Sequence, residues 1–550
     1  MQVSIIIQSL TGPGALDSLG AMLDHLKNPT PDPSAGIDDV LPATWRRLVW
    51  PILLGATFLV ELGNFWGNFY LDDYFYLHIA QITHDPFVFF YRDLWFGAYF
   101  RPGFFPLFYL DYLLFGLHPA GYLLSASLLV LGTVAAWYAL VRRWFGSEPL
   151  AFWSAFLFGV SPVTMGHAHF ICNTTDVMGG FLLVLSLYFF QHFLPTKNKS
   201  WLLASLAAGL WAMLCKENQV AVVAFTPLLA WSFYHRMGFP KRPWLAALKA
   251  SWPMFGTFAI FIIWRSTVLG GFGGYLPKGN KLIDPTVIPI FISMLDEYFL
   301  FGPAVLALLV LAALLLGFFN RRARQVLGYA LLLFVIPLAP LALGLGNKQM
   351  ALFFPMRFFY LSGLGATLMV AAAILHQGSR HYLARLLLAG MALLLGVGGV
   401  MLSRDFSQWQ RRQAGFLKAV AQTVLERYPT APRGSIFYIC TQPRDQALDT
   451  AAKIYYPELL DRYILLYCSP RTEIISRPEV VSAAAVPLQF DHNLRRNPMK
   501  IGPVVFGVTQ TNPRRIEADA DQPGVYVLEF PSEKDRVTDR FLPIGRPKAQ

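Results

Sequence analysis

The sequence predicts an α-helical polytopic membrane protein followed by a soluble α/β domain. Three observations carry that expectation. Of 550 residues, 55% are hydrophobic and only 14% charged, and the mean hydropathy is +0.45, whereas a soluble protein carries about a quarter charged residues. Apolar runs of about 20 residues, long enough to cross a bilayer as helices, recur as far as residue 402. Beyond residue 403 they stop, and short aromatic and β-branched stretches replace them.

The net charge of +12 does not argue for nucleic acid. The basic residues cluster in short loops between apolar runs, as the positive-inside rule requires. Residues 1–45 read as a disordered cytoplasmic leader. Met1 to Leu10 is apolar but has no basic segment before it, and Asn28-Pro29-Thr30-Pro31-Asp32-Pro33 follows, so it does not read as a signal peptide.

Trp45-Arg46-Arg47 sets the inner end of a first span over 48–66. From 70 to 103 aromatic and polar residues mix without a clean apolar run, which predicts short interfacial helices. Residues 104–141 predict a half-inserted helix broken near Gly116-Leu117-His118-Pro119, then a full span ending at Arg142-Arg143. Further spans are expected over 150–168, 175–193 and 201–214, with another ending at His235-Arg236 and one over 251–268. An apolar stretch over 286–319 returns to Arg321-Arg322-Ala323-Arg324, two spans flank Asn347-Lys348-Gln349, and the last covers 384–402. This gives about eleven spans in a transmembrane domain over 46–402, with the amino terminus inside and residues 403–550 outside.

The outer part contains a charged, helix-patterned stretch from Arg404 to Arg427 and three strand-like runs, Ser435–Ile439, Tyr463–Tyr467 and Val525–Phe530. Cys440 and Cys468 follow two of them, as either a disulfide or two buried thiols. The four cysteines show no zinc-ligand spacing.

On this topology the unusual polar residues gather at outer ends of spans: Asp72, Asp73, Arg92, Asp93, Arg101, His167, His169, Asp176, Lys216, Glu217, Lys278, Lys281, Lys348 and Arg357. Ionisable groups at membrane depth are costly and mark function. Carboxylates and cations around one cavity suit a substrate with a phosphate, a group to deprotonate and a lipid tail. Each residue also has a bland reading. Arg101 before Pro102 could anchor the interface, Lys216 and Glu217 could neutralise each other, and Arg357 with Tyr360 could anchor a span. His167 and His169 stand two apart and do not share a helix face, which argues against a metal pair. Gly270 to Gly274 reads as a flexible loop, and Asp111 as a weaker candidate for a second acid.

Asp72-Asp73-Tyr74, Tyr99-Phe100-Arg101-Pro102, Gly116-Leu117-His118-Pro119-Ala120-Gly121-Tyr122, Ser161-Pro162-Val163 with His167 and Asp176, Lys216-Glu217, and Arg357-Phe358-Phe359-Tyr360-Leu361 follow one another in order. The series resembles the GT-C superfamily of integral-membrane glycosyltransferases, on the branch of protein O-mannosyltransferases and transmembrane tetratricopeptide-repeat mannosyltransferases. It covers about residues 48–400, and the carboxyl-terminal part lacks the repeats. The resemblance implies inverting transfer of a mannose-like hexose or a pentose, from a polyprenyl-phosphate donor to a hydroxyl on a glycan, lipid or protein. It places the base in the Asp72–Asp73 pair, Asp72 for preference, with Asp73 orienting the acceptor or a metal. Any divalent ion, Mg or Mn, would sit on these two. Arg101, Lys216 and Arg357 would meet the lipid phosphate, supported by Glu217, Tyr360, His167 and Asp176. A bacterial inner membrane is the expected setting, with the site facing the periplasm.

The main alternative is a transporter or flippase of lipid-linked sugar. It predicts two similar halves with interrupted spans and polar groups at the midplane, and the sequence has neither. A polymerase or ligase of lipid-linked sugars should carry a large mid-chain outer loop, and these loops are short. A mere anchor for the terminal domain leaves the outer charges unexplained.

Overall fold

A computed structural model describes residues 43–70, 72–94, 100–237, 242–271, 321–338, 359–375 and 381–427, together with short strands between 435 and 529. The proposed leader, apart from its last residues, the span over 286–319 and the Asn347-Lys348-Gln349 segment lie outside the described residues.

The first span is helix α1 (Ala43–Glu61), continued by a 3-10 turn over Leu62–Trp66. The interfacial segment begins with α2 (Asp72–Thr83). The broken element is confirmed as α3 (Phe105–Phe115) and α4 (Pro119–Phe145). Gly116 ends α3 at φ +57° and Pro119 starts α4, so the break comes from one positive-φ residue and one that cannot continue a helix.

The expected span over 150–168 is corrected. Helix α5 covers only Glu148–Gly159, and a 3-10 turn (Pro162–Met165) and a single helical turn (Gly166–His169) follow. The hydroxyl of Ser161 accepts the Val163 amide at 3.2 Å, which favours a turn over a continued helix before Pro162. Next come α6 (Thr174–Thr196), α7 (Lys199–Cys215), α8 (Ala221–Arg236), α9 (Pro243–Leu269), α10 (Arg321–Val335), α11 (Tyr360–Leu375) and α12 (His381–Arg427). The last expected span ends at 402, and α12 continues without a break for another 25 residues, so the charged stretch after 403 is its carboxyl-terminal half.

Among the described residues, four segments are long and apolar enough to cross a membrane: Arg47–Trp66, Pro119–Phe145, Ile171–Thr196 and Pro243–Leu269. Five shorter apolar helices accompany them. The core lies where α4, α5, α6 and α11 meet, around Trp137, Phe158, Leu187 and Tyr360. Gly365 is required there. A Cβ on it would lie 2.4 Å from the Phe334 amide nitrogen, so only glycine lets α10 and α11 approach backbone to backbone. Large apolar side chains cover the outside: Leu59 is 65% exposed, Trp252 71% and Leu393 67%. An exterior this apolar is suited to lipid.

The three predicted strand runs join in one parallel sheet, in the order β2 (Tyr463–Cys468), β1 (Ser435–Cys440), β7 (Val525–Glu529). Cys440 and Cys468 are register partners on neighbouring strands. Two smaller pairs are β3 (Glu473–Ser476) with β6 (Arg515–Ala518) and β4 (Lys500–Ile501) with β5 (Val504–Val505). Among the described residues no helix follows Arg427, so the α/β character expected here is represented by its strands alone.

Candidate active site

Asp72 and Asp73 open α2, where the helix dipole favours negative charge. Consecutive helix positions point about 100° apart, and the two carboxylates meet different surroundings. Asp72 is exposed, whereas Asp73 is fully buried. The Asp73 carboxylate accepts three backbone amides: Tyr70 at 2.9 Å and Ile171 at 3.2 Å on Oδ2, and Cys172 at 2.7 Å on Oδ1. It thereby clamps the start of α2 to the segment leading into α6. Burial pushes its carboxyl up to about 7 against these three donors, and the neighbouring Asp72 adds to the rise. Little of Asp73 is left for a metal, and among the described residues no group of three or more His, Cys, Asp or Glu side chains could hold one. The aspartate pair does not fit a shared metal site.

A second group forms because backbones dock first. The Gly103 amide donates to the Leu214 carbonyl at 3.0 Å, and Trp211 Nε1 donates to the Gly103 carbonyl at 3.1 Å. A Cβ on Gly103 would lie 3.0 Å from the Leu214 carbonyl carbon, so this approach favours glycine. The docking sets Arg101 beside the turn after α7. Arg101 Nε and Nη2 donate to Glu217 Oε2 at 3.1 and 3.0 Å, and Arg265 Nη1 lies 3.3 Å from Glu217 Oε1. Burial raises the Glu217 carboxyl, but Arg101 and Arg265 outweigh it and hold the group below its ordinary value. Lys216 turns the other way and pairs with Asp176 in the first turn of α6, where Asn218 Nδ2 also approaches at 3.5 Å. The adjacent Lys216 and Glu217 therefore do not neutralise each other. Among the described residues, three cations share two carboxylates in a largely buried setting. Glu217 at 29% and Arg101 at 19% are its more open members.

The two groups meet at the start of the 171–196 segment. Its first two amides hold Asp73, and one turn later Asp176 holds Lys216.

The other expected residues lie elsewhere. His167 is fully buried, with Nε2 2.9 Å from Glu61 Oε2, and that oxygen also accepts from Asn64 at 2.8 Å and Ser127 at 3.0 Å. The side chain of Tyr360 is in the core, donating to Thr133 Oγ1 at 3.0 Å. Its ring packs against Phe158 and over Gly180. Neither joins the cation group. Arg357 lies outside the described residues. Asp111 accepts a hydrogen bond from Ser125 at 2.6 Å.

Sequence reasoning missed Arg265 and Glu61. Both carried a signal. Each is the only ionisable residue within its predicted span, 251–268 and 48–66 respectively.

Residues 102–266 match the family described as "Dolichyl-phosphate-mannose-protein mannosyltransferase". Among solved structures, the chain is similar to ArnT from Cupriavidus metallidurans bound to undecaprenyl phosphate, at 15% identity and TM-score 0.47, covering 78% of this chain and 87% of that one. The apo state of the same protein aligns at 16% identity and TM-score 0.45, covering 76% and 85%. The oligosaccharyltransferase AglB from Archaeoglobus fulgidus, in complex with an inhibitory peptide and a dolichol-phosphate, aligns at 13% identity and TM-score 0.41, covering 89% and 70%. No curated protein matches by sequence. The matched segment contains Asp176, Lys216, Glu217 and Arg265 and starts immediately after Arg101, so over these residues the chain is similar to the family of dolichyl-phosphate-mannose-protein mannosyltransferases.

Proposed function

We propose that the protein is an inverting glycosyltransferase that moves a mannose-like hexose or a pentose from a polyprenyl-phosphate donor to a hydroxyl acceptor, at the outer face of a bacterial inner membrane. The observation that supports this best is the group of Arg101, Lys216 and Arg265 with Glu217 and Asp176, tied through residues 171–176 to the buried Asp73, whose neighbour Asp72 is exposed at the start of α2. The residue match to dolichyl-phosphate-mannose-dependent transferases supports a lipid-phosphate donor.

The step then divides among named groups. The acceptor hydroxyl attacks the anomeric carbon from the face opposite the phosphate, and Asp72 takes its proton. The new C–O bond forms as the bond from the anomeric carbon to the phosphate oxygen breaks, and polyprenyl phosphate leaves with the bonding pair. Positive groups placed where that charge grows stabilise the transition state more than the ground state. Arg101 and Arg265 offer planar forks matched to phosphate oxygens, Lys216 adds a point charge, and Arg357 is proposed to join them. No step is routed through a Mg or Mn ion, because Asp73 of the aspartate pair is committed to backbone amides.

The test is transfer of labelled sugar by purified protein from a panel of polyprenyl-phosphate donors, to glycan, lipid and peptide acceptors. Consumption of a donor with a glycosylated product supports the reading. Donor binding or movement across the bilayer without consumption would replace it with the flippase. Arg265→Ala gives a sharper check. It is expected to keep its folded yield, because Arg101 still neutralises Glu217, and to lose about 10- to 100-fold in kcat/KM for the donor. An unchanged kcat/KM would remove Arg265 from the phosphate site.

A further inference from the structure

The segment between α1 and α2 is anchored at every second residue, and three of its four anchor points meet the far end of the chain. The Asn64 side chain meets Ser403, Glu61 and His167. The carbonyl of Trp66 accepts from Arg411 Nε at 2.9 Å, and the Arg411 guanidinium lies 5.1 Å from the centre of the Trp66 ring. The Asn68 amide donates to Gln410 Oε1 at 3.1 Å, and the Tyr70 amide donates to Asp73. Close packing accompanies these bonds. A Cβ on Gly67 would lie 3.2 Å from Gln410 Oε1.

All the distal partners beyond residue 400 sit on α12. Ser403, Ser407 and Gln410 are buried at 0%, 1% and 0% exposure, spaced four and three residues apart, and therefore form one stripe along the helix. A buried polar stripe on an otherwise amphipathic helix is costly unless it is satisfied. Ser403 and Gln410 spend their polar groups on residues 64–68, which lead directly to Asp72.

We infer that the carboxyl-terminal half of α12 is a strut that sets the position of Asp72, with Gln410 and Arg411 as positioning residues for the transfer step. They act through the backbone of residues 66–70 and touch neither donor nor acceptor. The part of the inference that concerns transfer rests on the proposed function, whereas the strut itself does not. Because α12 leads on to the first strand at Ser435, the same contacts join the aspartate pair to the carboxyl-terminal part of the chain.

The test combines hydrogen exchange with kinetics on the full-length protein. Gln410→Leu removes the acceptor while keeping much of the volume, Gln410→Glu keeps an acceptor oxygen, and Arg411→Ala alters an exposed residue. Gln410→Leu and Arg411→Ala are each expected to speed amide exchange across residues 66–73 about fivefold or more, with α6 unchanged. They should lower kcat by a similar factor at constant donor KM, and Gln410→Glu should restore both. Unchanged exchange in Gln410→Leu and Arg411→Ala overturns the strut. Faster exchange with an unchanged kcat overturns the positioning role. Should Gln410→Leu fail to fold, Arg411→Ala decides alone. A wild type that transfers nothing overturns the functional reading, and the exchange measurement still decides the strut.

Discussion

Asp72→Asn is expected to fold as the wild type does and to transfer sugar about 10²- to 10⁴-fold more slowly, the range that loss of a general base produces. The fold should survive because Asp72 is exposed and the contacts that fix the start of α2 run through Asp73. Donor KM should change little, since the proposed phosphate-binding groups are untouched and the lost interaction is made only as the acceptor proton moves. Steady-state transfer by matched preparations, with folded yield measured by size exclusion, separates these effects. Wild-type turnover in Asp72→Asn would move the base elsewhere, first to residues outside the described segments. Equal loss in an exposed control such as Arg92→Ala would indicate damage unrelated to the base.

Asp73→Ala should do the opposite and damage stability before it damages chemistry. Three buried backbone amides, of Tyr70, Ile171 and Cys172, lose their acceptor, and each orphaned donor costs about 1–3 kcal/mol. The loss is therefore expected at about 3 kcal/mol or more, visible as a lower melting temperature in detergent. The pH dependence has a definite sign. Asp73 titrates near 7 in the fold and near 3.8 when unfolded, so between these values the folded state holds a proton that the unfolded state has released. Through this group, wild-type stability falls as pH rises from about 4 to 7 and levels off above. Asp73→Ala lacks that slope. A variant with the wild-type melting temperature and slope would show that the clamp contributes nothing.

The sheet and the helices that can be compared show where sequence signals are reliable. The runs around Phe437, Leu465 and Val527 are dense in aromatic and branched residues, and they pair as one parallel sheet. Helix α4 was legible as a long apolar run after a proline, and α6 as another with Asp176 in its first turn. The expected span over 150–168 was misjudged, because mean apolarity does not register that Ser161 caps a turn before Pro162. The apolar part of the last helix covers Arg385–Met401, close to the expected span. Charge density rises after 403, but a helix does not stop where its composition changes, and nothing before Arg427 breaks α12.

The sequence by itself determined that this chain carries helices apolar enough to enter a membrane, and that Asp72–Asp73, Arg101 and Lys216–Glu217 stand in one ordered series. These are properties of composition and order along the chain, and the hydrophobic effect reads them locally. Only the tertiary structure decided how the charges pair. It separated Lys216 from Glu217, brought Arg265 to Glu217 from 48 residues away, and withdrew His167 and Tyr360 into buried contacts of their own. It also assigned different surroundings to two adjacent aspartates. The reason is physical: Coulombic and hydrogen-bonding partners act over a few ångströms in space. The contacts that bring them there, Gly103 on Leu214 and Asp73 on Cys172, join residues about a hundred positions apart that no local pattern relates.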